Sequence, residues 1–501
     1  MGTRAGTTGV AEVVRLQTEL SRVRLRLPVF DARVLSPIAS ARVQSHSKRL
    51  AISCPRVAIR FSRAGATSIM LSVTQAFDKL LATVKPLNVV SLPLSDLLGL
   101  TLAEDVSAIG DSPPFDKSLM DGFAVRAADV ASGFASLKVI EVVTAGQVPS
   151  KSVGPGEATQ IMTGAPIPEG ADLVVKIEET LPDIHSVHIT TKSIAPGTNI
   201  IRRGTSVRAG DVVLKAGMKL NGSRIGALAE LGRAVAPIYR RPTVAILATG
   251  DELVPITETP GPGQIRNSNE AMLIAQIQAA GAIPIPLGIA RDNRADLKAK
   301  IQEGLQCDLL VLSGGVSAGM LDLVPSELAT AGVREVFHKV ELKPGKPVWF
   351  GVREFCLARP ESSKGVESIT QTTPFEDSGR ATQIAGSPSR CYVFGLPGNP
   401  VSSLVCCELF VRTAIRRLMG EQTPLPRPLP ARLEHDYSAQ ADRPTYHPAK
   451  LMWSPEGATV KLVPWHGSSD LCGTVAANGM AFLSGEAKEY HAGDMLEVIP
   501  W

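Results

Sequence analysis

Two stretches, TVAILATG at Thr243 to Gly250 and LLVLSGG at Leu309 to Gly315, are apolar along their length and stop at glycine. A strand with one wet face alternates apolar and polar residues. A strand apolar on both sides must be covered on both faces, as in a parallel sheet sandwiched between helices. The intervening chain fits that reading. NSNEAMLIAQIQAAG has helical spacing with Gly281 as its stop, and AIPIPLG follows as a weaker strand. DNRADLKAKIQEGL then carries Asp292 as N-cap and Leu297, Ile301 and Leu305 as its apolar stripe. Repeated strand-helix-strand order predicts a mainly parallel, three-layer α/β domain over residues 242–420. Ligands of such sheets bind beyond the carboxyl ends of the strands, where Asp251 and SGGVSAG both fall.

The rest of the chain divides around this domain. Residues 70–110 and 211–241 read as a helical linking domain, because Ser72-x-x-Gln75 has the form of a capping box ahead of an apolar face of Phe77, Leu80, Leu81 and Val84, and NGSRIGALAELG returns to helical spacing. Residues 111–210 hold short alternating runs, KVIEVVTAG and ADLVVKIEET among them, and predict an inserted β domain. A polar, aperiodic segment at 354–390 reads as a disordered insertion between neighbouring strands. After a Pro-rich linker, residues 421–501 predict a small C-terminal β barrel. The first 69 residues carry twelve Lys and Arg against three Asp and Glu. A transit peptide or a nucleic-acid arm would explain that basicity, but a well-formed helix start directly follows Met70, so the stretch reads first as a dispensable, disordered extension from a misplaced start codon.

Composition excludes several classes. No run of about 18 apolar residues is present, which argues against a membrane-spanning helix. Seven Cys without a C-x-x-C pair argue against a disulfide framework and a zinc site, and point to a reducing cytoplasm. None of the eight His stands in an H-x-x-x-H pair.

What remains is an anion site. Ser313, Gly314, Gly315 and Ser317 form a turn at a strand end, Lys343 and Lys346 bracket a Pro-Gly turn, and Pro397, Gly398 and Asn399 open a helix. Gly-rich turns let backbone approach a ligand closely, and helix starts present unpaired N–H groups to oxyanions. The plain alternatives are solvated lysines and an Asn399-Pro400 pair that only starts a helix. Asp251 and Asp322 follow strand ends, where carboxylates either hold Mg²⁺ against substrate phosphates or simply cap helices. Asp121 follows a Pro-Pro turn, and such an aspartate is usually a turn former.

The motifs FDKSLMDGFAV, IMTGAPIPEGADLVV, TGDEL, SGGVSAG with Asp322, LKPGKP and GLPGNPVSS occur in this order over about four hundred residues. From Met70 onward the chain resembles the molybdopterin molybdenumtransferase family, MoeA and the gephyrin E domain. The resemblance implies an elongated homodimer whose α/β domain is of the molybdopterin-binding type. It further implies a reaction in which adenylylated molybdopterin and molybdate, with Mg²⁺, give molybdenum cofactor and AMP. By motif matching, Asp121 is the family's important carboxylate, placed opposite the partner subunit's α/β domain, and Thr163 is a site-lining threonine. Asp251 and Asp322 match acidic positions, Lys343 and Lys346 the basic pair, and Ser313, Gly314, Gly315 and Ser317 the loop near the pterin phosphate. Implied partners are the molybdopterin adenylyltransferase and molybdoenzyme maturation proteins, with no nucleic acid and no membrane. The chain departs from some members at Thr205, Ser206 and Asn267, where they have acidic residues, and at Pro448, where a second Arg is often found. Two rival functions are adenylyl transfer to molybdopterin, against which the extra domains and MDGFA argue, and a non-catalytic gephyrin-like scaffold, against which the retained charged residues argue.

Overall fold

A computed structural model describes residues 70–192, 195–316, 323–355, 390–439 and 443–501. The basic extension, Ser317, Asp322 and nearly all of the 354–390 segment lie outside the described residues. Among those described, no helix is long and apolar enough to cross a membrane.

The helix Val73–Thr83 begins as its sequence dictates, with the Ser72 side chain accepting from the Gln75 N–H and the Gln75 side chain from the Ser72 N–H. Leu80 and Val84 are fully buried, and Phe77 stacks 5.3 Å from Phe410 of the α/β domain. The strand Val89–Pro93 then pairs antiparallel with Val235–Tyr239, bringing the two halves of the linking region together across the inserted residues. A single 3₁₀ turn follows at Leu94–Asp96.

The inserted region forms a six-stranded sheet in the order Leu173–Lys176, Gly122–Val125, Glu157–Ile161, Phe134–Val143, Ser186–Thr190 and Thr180–Pro182. Its central Gly122–Val125 strand is buried on both faces. Phe123 and Val125 enter one apolar cluster and Ala124 the other. Ion pairs Arg203–Asp111 and Arg202–Asp116, of 2.6 Å each, clasp to each other the two stretches by which the chain enters and leaves this region.

The α/β sheet runs Ile283–Ala290, Thr243–Thr249, Leu309–Ser313, Arg390–Leu396, Trp349–Glu354 and Arg334–His338. Its first four strands are parallel, Trp349–Glu354 runs antiparallel to them, and Arg334–His338, antiparallel to Trp349–Glu354, runs in their direction again. Period-2 alternation separates its faces: Val244, Ile246, Leu309 and Val311 join one core, while Ala245, Leu247, Leu310 and Leu312 join the other. The strand order reverses between Thr243–Thr249 and Leu309–Ser313, so the crevice at the carboxyl ends of these two strands is the place where this topology opens a ligand site. Helix Arg294–Gly304 starts one residue later than the sequence reading has it. Asn293, not Asp292, accepts from the Asp296 N–H, because Asn293 has the extended backbone that a cap requires. Strands Trp349–Glu354 and Arg390–Leu396 are antiparallel neighbours, with Glu354 opposite Arg390. The C-terminal region closes into a five-stranded barrel of Leu429–Leu433, Gly457–Leu462, Thr445–Ser454, Gly479–Leu483 and Met495–Pro500.

Candidate active site

At the reversal point the chain turns tightly. Gly314 has φ +104°, and a Cβ there would lie 2.6 Å from the Thr249 carbonyl oxygen and 2.8 Å from its hydroxyl. Only glycine lets the strand end fold back so closely on its neighbour. Gly314→Ala is therefore expected to cost about 1–3 kcal/mol in chemical denaturation. Gly398 is the control, since a Cβ added there meets only the Gly314 Cα at 3.7 Å, an ordinary contact. A Gly314→Ala variant as stable as Gly398→Ala would show that the turn relaxes freely.

Around this turn lies a cleft of about 880 Å³. Thr249, Gly250, Asn269, Gly314 and Gly315 form its floor, Pro397, Gly398 and Asn399 one wall, and Ser469 to Cys472 of the barrel domain another. Glu252 and Asp292 also line it. The Thr249 hydroxyl beside it is buried without a hydrogen-bond partner.

A second cleft, of about 680 Å³, opens where the LKPGKP turn meets the barrel. Lys343, Lys346 and Arg443 line it, with Ser402, Ser438, His447 and Ser468. Neither lysine has an ion-pair partner among the described residues, so each brings its charge to the cavity unspent. Backbone bonds fix Lys343, whose N–H donates to Pro444 and whose carbonyl accepts from Tyr446. His447 is buried and donates from Nδ1 to the Pro448 carbonyl. Burial first, and then the Lys343 charge, lower its pKa, while the bond to Pro448 opposes them, so the imidazole is neutral at pH 7. Pro347, Pro397 and Asn399 line both clefts. Asn399 does stand at the start of helix Pro400–Cys406, but its side chain caps nothing there. Its amide donates to the Ser468 hydroxyl across to the barrel domain, at 2.9 Å.

Asp121 and Thr163 lie apart from both clefts, on the inserted sheet. One Asp121 oxygen accepts from the Thr163 N–H and hydroxyl, each at 2.7 Å. These bonds, the backbone one first, hold the carboxyl below its usual pKa. The carboxylate is solvent-exposed and pointed by Thr163, a geometry that a mere turn former does not need. Asp251 is exposed too and accepts from the Asp292 N–H at 3.1 Å. It is not among the residues lining either cleft. Ser313 lines the cleft beside Gly314 and Gly315 but is nearly buried, and its hydroxyl accepts from the Asn269 amide.

Sequence reasoning missed Asn269, which joins the two glycine turns, and the barrel-side residues His447, Ser468 and Trp465. Asn269 had a usable signal: it sits on the first turn of a helix that follows a strand end. The barrel residues had none, since the fold alone brings them to the lysines.

Three family profiles cover the described chain: "MoeA N-terminal region (domain I and II)" at residues 71–232, "Probable molybdopterin binding domain" at 245–417 and "MoeA C-terminal region (domain IV)" at 430–501. A molybdopterin molybdenumtransferase of Staphylococcus aureus (strain N315) is 32% identical over 437 residues, covering 86% of this chain and 95% of that protein. One from Staphylococcus epidermidis (strain ATCC 12228) is 32% identical over 434 residues, covering 86% and 95%. The crystal structure of a molybdopterin biosynthesis protein, moeA, from Pyrococcus horikoshii OT3 matches with a TM-score of 0.69 at 26% identity, covering 86% of this chain and 100% of that one. With the same domains in the same order, and relatives matched over nearly their whole length, this chain belongs to the molybdopterin molybdenumtransferase (MoeA) family.

Proposed function

We propose that this protein inserts molybdenum from molybdate into adenylylated molybdopterin and releases AMP, the last step of molybdenum cofactor biosynthesis. The observation that carries the reading is the pair of adjoining clefts that share Pro347, Pro397 and Asn399. Two anionic substrates must meet in this reaction, and two clefts meet here, one lined by Lys343, Lys346 and Arg443 and the other by the glycine turn. Lys343, Lys346 and Arg443 suit a tetrahedral oxyanion such as molybdate, since charge-assisted hydrogen bonds from several directions can hold it. The glycine turn, with its close backbone approach, suits the pterin phosphate.

On this reading the lysine charges stabilise negative charge that develops on the phosphates as the anhydride to AMP is cleaved and the dithiolene takes up molybdenum. No group of three His, Cys, Asp or Glu is arranged around a metal position among the described residues. Mg²⁺ does not require one, since it usually keeps several waters and uses one or two carboxylates plus substrate phosphates. Asp251 and Asp322 are the carboxylates we assign to it, Asp251 reaching it from just outside the cleft that its neighbour Glu252 lines, and the bound ion would neutralise phosphate charge. Asp121, pointed by Thr163 but remote from the clefts of its own chain, serves the site of the partner subunit in a homodimer. The cytoplasm is the compartment in which we place this chemistry.

The test is molybdate-dependent AMP release from adenylylated molybdopterin by protein started at Met70, with Mg²⁺ present. Lys346→Ala is expected to raise the KM for molybdate roughly tenfold or more, the loss of one charged hydrogen bond. Folded protein that binds the pterin but releases no AMP would replace this reading with a binding or scaffold role.

A further inference from the structure

We propose that Asn269 is a positioning residue, locking the two glycine turns into one rigid cradle for the pterin substrate. The inference rests on the functional reading above and deepens it. Asn269 Nδ2 donates to the Ser313 hydroxyl at 2.7 Å and to the Gly398 carbonyl at 2.7 Å. A carbonyl can only accept, so Gly398 fixes which end of the amide faces the turns. The Ser313 hydroxyl lies 3.5 Å from that of Ser403, which donates to the Pro397 carbonyl at 2.5 Å. The two Asn269 bonds thus join the end of strand Leu309–Ser313 and the loop before helix Pro400–Cys406 to the start of helix Ser268–Ala279, with the longer Ser313–Ser403 contact beside them. Ser313 and Ser403 are 3% and 0% exposed, so water does not compete for their contacts, while the Asn269–Gly398 bond faces the cleft.

The other side-chain link between the turns, through Ser403, ends on the Pro397 carbonyl and not on the Gly398 peptide. Gly314 donates its N–H to Leu396, but this fixes the strand end and not the Gly398 peptide that faces the cleft. Asn269 is anchored from outside both turns, because its helix packs on strands Thr243–Thr249 and Ile283–Ala290. Asn269 itself lines the cleft floor, but its bonds order both turns before a ligand arrives and so reduce the ordering that binding requires. The Asn269 Oδ1 atom is buried without a partner. The residue is therefore kept at a polar cost that a purely space-filling role would not explain.

The test uses Asn269→Ala, Asn269→Asp, Ser403→Ala and the Asn269→Ala/Ser403→Ala double variant of the full chain. Asn269→Asp keeps the shape but turns an oxygen toward the Gly398 carbonyl, so it should behave like alanine. Both substitutions are expected to raise KM for adenylylated molybdopterin about tenfold, with kcat and the KM for molybdate nearly unchanged. The Kd for molybdopterin, measured without molybdate, should rise in parallel. The double variant should be no worse than Asn269→Ala, as expected for groups in one network. Unchanged KM and Kd in both Asn269 variants would overturn the inference, as would a fall in kcat alone. If the wild type released no AMP while the Asn269 variants still lost affinity for molybdopterin, the functional reading would fail and the cradle would stand.

Discussion

Replacing Asp121 by alanine is expected to slow molybdate-dependent AMP release by on the order of 10²–10³-fold, the usual cost of removing one pre-oriented charged group from a transition state. The side chain is exposed and held by two bonds to Thr163, so its removal leaves no buried group unpaired and should spare the fold. Thr163→Val keeps the charge and the backbone bond but loses the hydroxyl, and should cost less, about tenfold. The pH dependence has a definite sign. Because the folded pKa lies below the ordinary carboxylate value, the Asp121–Thr163 interaction is fully present above that ordinary value and is lost as pH falls through the lowered one. Activity should then show no loss from Asp121 between pH 6 and pH 8, a window about two units above an ordinary carboxylate pKa.

The same residue tests the dimer. Asp121→Ala and Lys346→Ala, each weakened alone, can be mixed after unfolding and refolding together. If each site takes its aspartate from the partner subunit, half of the mixed dimers' sites are whole, and about a quarter of wild-type activity returns. No recovery, with mixed dimers present, would place Asp121 and the lysines in one chain's site or remove Asp121 from the mechanism.

The largest expected effect on stability lies at the opposite end of the sheet. Asp308, 2% exposed, accepts two bonds from the Arg240 guanidinium at 2.6 and 2.7 Å and two more from the Thr243 N–H and hydroxyl. Arg240 directly follows the Val235–Tyr239 strand, so this cluster fastens the linking region to the start of the α/β sheet. Asp308→Ala leaves a half-buried guanidinium without its carboxylate and is expected to cost about 3–5 kcal/mol. In a domain of this size that lowers Tm by on the order of 10 °C. Adding Arg240→Met should restore much of the loss, since a buried ion pair is often replaceable by apolar groups of similar volume. A single variant with wild-type Tm would mean that water or a neighbouring group takes over the charge.

Different parts of this molecule differ in how far they are written in local sequence. The strands Thr243–Thr249 and Leu309–Ser313 were legible because double-sided burial leaves no polar position, and the Ser72 cap because its two bonds are made within four residues. Asp292 was misread as a cap because Asp and Asn are equally good acceptors, and only the backbone conformation of Asn293 decides between them. Asn399 shows the same limit. Its sequence signals a helix start, yet its amide reaches Ser468, 69 positions away. The glycine turns announced themselves because a residue without a Cβ is a local requirement. Asn269, His447 and Ser468 did not, because their roles come from contacts that only the folded topology creates.

The antiparallel pairing of Glu354 with Arg390 bears on how this enzyme family can vary. These residues lie at the edge of the sheet where the strand beginning at Arg390 runs beside Asp308, while the clefts lie at the other edge, beyond Ser313 and Leu396. Chain added there enters and leaves through one closed doorway on the far side from the chemistry. The closure cost of such a segment grows slowly, by about 0.6 kcal/mol for each doubling of its length. This doorway is therefore where the polypeptide can gain or lose tens of residues, or accept a fused reporter, while the turns that hold the substrate keep their geometry.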